Sequence, residues 1–144
     1  MEDFLKSRPW MPKPFTIAVL DGDEQLADTL CDALNEGGYA ATAFYDMESL
    51  LAAYRHARFD AYVLDSVTDW HLESESLENF VASIRTEDHS DAPIFILGNQ
   101  AEPERVEWLA NILMHYKVNY LIRPLRTSYL VKHLGEAIAR RAGL

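Results

Sequence analysis

Apolar residues fall along this chain in two alternating rhythms. Short unbroken runs have the length and composition of strands covered on both faces: Phe15-Thr16-Ile17-Ala18-Val19-Leu20, Ala61-Tyr62-Val63-Leu64 and Pro93-Ile94-Phe95-Ile96-Leu97-Gly98. Ala40 to Tyr45 and Tyr120-Leu121-Ile122-Arg123 read as two shorter strands. Between the strands, apolar residues recur at helical spacing. They are Leu26, Leu30, Ala33 and Leu34; Leu50, Leu51 and Tyr54; Leu77, Phe80, Val81 and Ile84; and Val106, Leu109, Ala110 and Leu113. A last helix extends from Thr127 to about Arg141. The punctuation agrees. Asp23, Asp46 and Thr127 stand where helix N-caps belong, Pro103 stands in a first turn, and Gly37-Gly38 stops the first helix.

Five strands alternating with five helices predict an α/β domain with a parallel sheet and right-handed crossovers. The simplest architectures are a half-Rossmann sheet and a flavodoxin-like (βα)5 three-layer sandwich with strand order 2-1-3-4-5. In the second, strands one and three are neighbours, and ligands collect at the carboxyl ends where the order reverses. Asp21 and Asp23 follow the first strand and Asp65 ends the third. That order brings three carboxylates to one mouth, a site suited to a hard divalent cation. No G-x-G-x-x-G follows the first strand, which argues against a dinucleotide cofactor.

Composition narrows the class. A chain of 144 residues, 49% hydrophobic and 25% charged, has the make-up of one globular domain. Its net charge of -10 opposes direct nucleic-acid binding, which needs clustered Lys and Arg. No apolar run is long enough to span a membrane, and the N-terminus lacks the apolar core of a secretory signal. Cys31 is the sole cysteine, reads as a small buried apolar residue, and suits a reducing cytoplasm. Residues 1–14, MEDFLKSRPWMPKP, show neither rhythm and read as a loose arm, leaving 15–144 as the domain.

From about residue 15 to 142, the chain resembles the receiver domains of bacterial two-component response regulators. The resemblance rests on Asp21 after strand one, Asp65 after strand three and Arg123-Pro124 after strand five. It implies that Asp65 accepts a phosphoryl group from a sensor histidine kinase or phosphotransfer protein, and that Arg123 binds the phosphoryl oxygens. It implies that Mg²⁺ is held by Asp21, Asp23, Asp65 and the backbone carbonyl of Val67. It also implies a cis Arg123-Pro124 bond, and a switch that links the end of strand four to an aromatic on strand five, here Gly98 and Tyr120.

The chain departs from the family at several of these places. Gly22 stands where a second adjacent acid is usual, so the implied Mg²⁺ affinity is weak or absent. Gly98 replaces a Thr or Ser whose hydroxyl normally holds the phosphoryl group. Arg123 replaces a Lys, a planar fork for a compact ammonium. The loop after Asp65 is about four residues longer than is usual in the family, on a helix count to Arg85. The resemblance therefore admits two signalling readings: an atypical, non-enzymatic receiver phosphorylated on Asp65, or a pseudo-receiver that binds partners without phosphorylation. A more distant alternative is a haloacid-dehalogenase-like phosphatase using Asp21 and Asp23 in a D-x-D opening, with Asp65 and Asp69 as a later acidic pair. The fourth helix predicts an interface. Trp108, Ile112 and His115 form a second stripe that one sheet cannot cover together with the first. In the receiver family, the surface of helix four, strand five and helix five commonly makes dimers, so a homodimer through Trp108 and Ile112 is expected.

Overall fold

The computed structural model describes residues 14–66, 77–99 and 104–143, the side chains of 104–108 excepted. The elements are β1 (Thr16–Leu20), α1 (Glu24–Glu36), β2 (Ala40–Phe44), α2 (Met47–His56), β3 (Ala61–Asp65), α3 (Leu77–Ala82), β4 (Ile94–Asn99), α4 (Glu104–His115), β5 (Asn119–Arg123) and α5 (Thr127–Arg141). A turn of π-helix, Ser83–Glu87, continues α3. The five strands form one parallel sheet of order β2-β1-β3-β4-β5. This is the flavodoxin-like order, not the half-Rossmann one. Within the predicted arm, only Pro14 is described, and it is exposed.

Alternation along each central strand builds the three layers. Ala18 and Leu20 of β1, Tyr62 and Leu64 of β3, and Ile94 and Ile96 of β4 pack with α2, α3 and α4. Ile17 and Val19, Ala61 and Val63, and Phe95 and Leu97 pack with Leu30 and Leu34 of α1 and Leu130, Leu134 and Ile138 of α5. Every residue of β3 is buried, as its unbroken apolar run requires. The first layer carries an aromatic cluster. Phe44 meets Phe59, Phe59 meets Tyr62, and Tyr54, Tyr62 and Phe80 meet one another edge to face at 5.0–6.3 Å between centroids. The Tyr54 hydroxyl, half out of this cluster, donates to Asp88, which also pairs with Arg58.

Helix α4 corrects the sequence reading. Ile112, assigned to an exposed interface stripe, is fully buried, as is Leu109. Leu113, assigned to the sheet-facing stripe, is 40% exposed and its neighbour Met114 is 79% exposed. The buried face thus lies between the two stripes, on the Leu109–Ile112 line. The Trp108 side chain lies outside the described residues. Ile112→Ala is expected to cost about 2–5 kcal/mol in denaturant unfolding, as a core truncation does. It should leave the association state unchanged in sedimentation, which an interface residue would not. One cap also differs. Arg126, not Thr127, occupies the N-cap of α5, and its side chain makes no capping bond.

Candidate functional site: the carboxyl edge of the sheet

The mouth is set by the ends of β1, β3 and β5. Parallel pairing of β1 with β3 puts Leu20 beside Leu64, so the residues that follow, Asp21 just past β1 and Asp65 at the end of β3, come together at one edge. Backbone bonds fix Asp21 and the residue after Asp65. The Asp21 N–H donates to the Phe44 carbonyl at 3.0 Å, and the Ser66 N–H donates to the Leu97 carbonyl at 2.9 Å. Both carboxylates are buried, 5% exposed for Asp21 and 4% for Asp65. Two buried anions at one edge require compensation.

Arg123 supplies it. One guanidinium nitrogen donates to Asp65 Oδ1 at 2.8 Å and the other to Asp21 Oδ2 at 2.5 Å. A planar fork bridges two carboxylates in a way that a single ammonium cannot. The second oxygen of Asp21 accepts from the Asp23 backbone N–H at 2.9 Å. Burial pushes the Asp21 carboxyl above its ordinary value, and the nearby Asp65 carboxylate adds to the push; the Asp23 amide and Arg123 oppose it. The peptide bond from Arg123 to Pro124 is cis, as the resemblance implied.

Of the three predicted acidic ligands, Asp23 does not join the pair. Its carboxylate accepts from the Gln25 and Leu26 N–H groups at 3.1 and 3.2 Å and caps α1. The reason is local. Asp23 precedes a helix whose first amides lack partners, and a short acidic side chain satisfies them at once. Val67 lies outside the described residues, as does Asp69. Among the described residues, the donor set is two carboxylates already bridged by a guanidinium, with Gly22 offering no side chain between them. Among the described residues, no group of three or more acidic, His or Cys side chains gathers for a metal. This arrangement does not fit Mg²⁺, because a cation would first have to displace Arg123. Asp23→Ala is expected to cost about 1 kcal/mol of stability as a lost cap. It should leave a calorimetric Mg²⁺ titration unchanged, whereas loss of a ligand would alter it.

The switch positions meet in an unforeseen way. Register places Gly98 and Tyr120 on neighbouring strands, with Gly98 beside Ile122 and Tyr120 beside Ile96. The Tyr120 ring lies over Gly98. A Cβ at position 98 would fall 2.7 and 2.8 Å from ring carbons Cζ and Cε2, and nearer still to the hydroxyl. Those distances are closer than real side chains come, so the ring occupies the room a Thr or Ser would need. An aromatic that fills the gap over a strand glycine also restores packing that glycine lacks.

Sequence reasoning did not single out Arg126 and read Thr127 only as a helix cap; both line the mouth, with Asn99 and Pro124. Arg126 carried a faint signal as a second basic residue just after Arg123-Pro124.

The fold and the mouth together define a doubly wound α/β module whose chemistry sits at the β1/β3 switch point. No family model and no curated protein matches the chain. Solved structures do, and their fold is that of response-regulator receiver domains. The receiver domain of Francisella response regulator 1452 is 19% identical, with a TM-score of 0.68, over 88% of this chain and 98% of that one. The chemotaxis response regulator CheY4 of Vibrio cholerae is 20% identical, with a TM-score of 0.66, over 86% and 98%. A receiver-domain protein from Clostridium thermocellum is 16% identical, with a TM-score of 0.71, over 89% and 97%.

Proposed function

We propose that this chain is a receiver-type signalling module that acts through protein–protein contact, with its site held by Arg123 in place of a metal and a phosphoryl group. The observation that carries this reading is the Arg123 fork on both Asp21 and Asp65. A carboxylate attacks phosphorus poorly while its own oxygen is committed to a guanidinium and no metal offsets the negative charge on the incoming phosphate. Tyr120 over Gly98 supports the same reading. The aromatic already fills the place that a moving hydroxyl would vacate, so the two halves of a phosphoryl-driven switch are fused into one packed state.

The contact face follows from what is exposed. Leu113 and Met114 of α4, Ile122 of β5 and Tyr129 of α5 are 40%, 79%, 47% and 48% exposed. β5 is also an edge strand. Exposed apolar side chains on these three elements support an interface there, and a two-fold homodimer is the default pairing. In sedimentation, the wild type should associate, and the Met114→Glu/Ile122→Glu double variant should be monomeric.

Intact mass tests the site directly. After incubation with Mg²⁺ and acetyl phosphate, wild-type protein should stay unmodified, like the Asp65→Asn control. A single phosphoryl adduct absent from Asp65→Asn would restore the phosphorylated-receiver reading. No helix among the described residues is long and apolar enough to cross a membrane.

A further inference from the structure

Beside the carboxylate pair, a cavity of about 630 Å³ opens between α1 and α5. Its floor is Val19, Val63 and Leu97, and its walls include Leu30 and Leu130. All five are buried in the second layer of the core. That volume lies within the roughly 300–1,000 Å³ range of small-molecule sites, which are likewise apolar with a few polar groups at one end.

The polar end carries both charged and neutral groups. Asp21 and Arg123 line it, and with Asp65 they form one cluster of two carboxylates bridged by one guanidinium. Of the remaining rim groups, Arg126 is the cation, and Asn99 and Thr127 can donate or accept. Arg126 makes no ion pair among the described residues and is exposed at the rim. The Asn99 carboxamide, also at the rim, makes no hydrogen bond among the described residues. Thr127 opens α5, a helix of 15 residues whose N-cap side chain makes no capping bond. Arg126 and Thr127 both line the cavity, so the positive dipole end of α5 lies at the same rim.

We propose that this cavity is a ligand site for a small amphipathic anion: an aromatic or aliphatic body against Val19, Val63 and Leu97, and a carboxylate at Arg126 and the start of α5. The proposal goes beyond the contact-module reading and does not depend on whether Asp65 accepts a phosphoryl group. Because Arg123 and Asp21 share the rim, ligand binding and the Arg123 clamp are coupled, and the coupling is reciprocal.

The test uses 4-phenylbutyrate and its neutral counterpart 4-phenylbutanol as probes, titrated into ¹⁵N-labelled full chain and followed by amide shifts. The acid should bind saturably with a Kd below about 1 mM and shift residues 19–21, 97–99 and 125–130. The alcohol should bind about tenfold more weakly at the same residues. Arg126→Ala should bring the acid to the level of the alcohol. Leu26→Trp, at a position 48% exposed on the cavity wall, should crowd the opening and weaken both probes. Absence of saturable shifts with either probe overturns the proposal, as do shifts confined to the outer surface of α4 and β5. Equal affinity for acid and alcohol, or no effect of Arg126→Ala, overturns the assignment of an anion.

Discussion

Arg123→Ala is expected to lower the unfolding free energy by about 3–5 kcal/mol, the cost of removing one partner from a buried ion pair. Two carboxylates at 4% and 5% exposure would be left facing each other without a cation. Arg123→Lys should recover only part of the loss, because one ammonium replaces a fork that reaches both acids. The triple variant Arg123→Met/Asp21→Asn/Asp65→Asn should recover most of it, since the penalty belongs to stranded charge and not to lost volume.

The deficit has a pH signature. In the folded protein, the Asp21 carboxyl titrates above its ordinary value, with burial as the main cause. The folded state therefore holds that proton more tightly than the unfolded chain. This group's contribution to stability is present below the ordinary carboxylate value and is lost as pH rises through the raised one. Arg123 opposes the rise, so its removal enlarges the loss. The gap between wild type and Arg123→Ala should be widest at neutral pH and should narrow on acidification through the carboxylate range. Urea unfolding at several pH values measures it. A gap that widened on acidification would mean that the pair is not held as described.

Gly98→Thr should have the second-largest effect, and it is conformational. A side chain at position 98 takes the space of the Tyr120 ring. The atoms it meets are the far end of a side chain, so the ring can swing out toward solvent while the strands stay paired. Residues 98–99 and 119–123 should show large amide shifts, and the Tyr120 ring should become accessible to iodination. The stability cost should remain within about 1–3 kcal/mol, because lost ring packing is offset in part by the removal of a strand glycine. If association uses the β5 face, as proposed, Gly98→Thr should also weaken it. Unchanged Tyr120 reactivity in Gly98→Thr would show that the ring is not held over this glycine.

How far the sequence discloses this structure depends on whether a signal is local or tertiary. The central strands were legible because a strand covered on both faces is apolar without a break, and β1, β3 and β4 are. Alternation with helices left two strand orders open, the receiver resemblance favoured 2-1-3-4-5, and the Asp21–Asp65 meeting followed from that order. Asp23 was legible twice, as a cap and as a ligand; the unpaired amides of α1 were nearer and prevailed. Helix α4 misled for a geometric reason. Its apolar residues cover more than half the circumference, so periodicity could not choose between a stripe through Leu113 and one through Ile112, and only the packing against the sheet does. The bridging of both acids by Arg123 and the link of Tyr54 to Asp88 join residues 34 to 102 positions apart, and the seat of Tyr120 over Gly98 depends on strand pairing. No window on the sequence contains them.

The central claim is that the mouth is already closed by Arg123 and Tyr120, without a phosphoryl group. Amide spectra of the ¹⁵N-labelled wild type, recorded with Mg²⁺ alone and with Mg²⁺ plus beryllofluoride, test it most directly. The account predicts no change across residues 98–125, because the phosphoryl mimic finds neither a free carboxylate nor a vacant switch position. Saturable shifts through Gly98, Tyr120 and Arg123 on adding beryllofluoride, absent in Asp65→Asn, would contradict it.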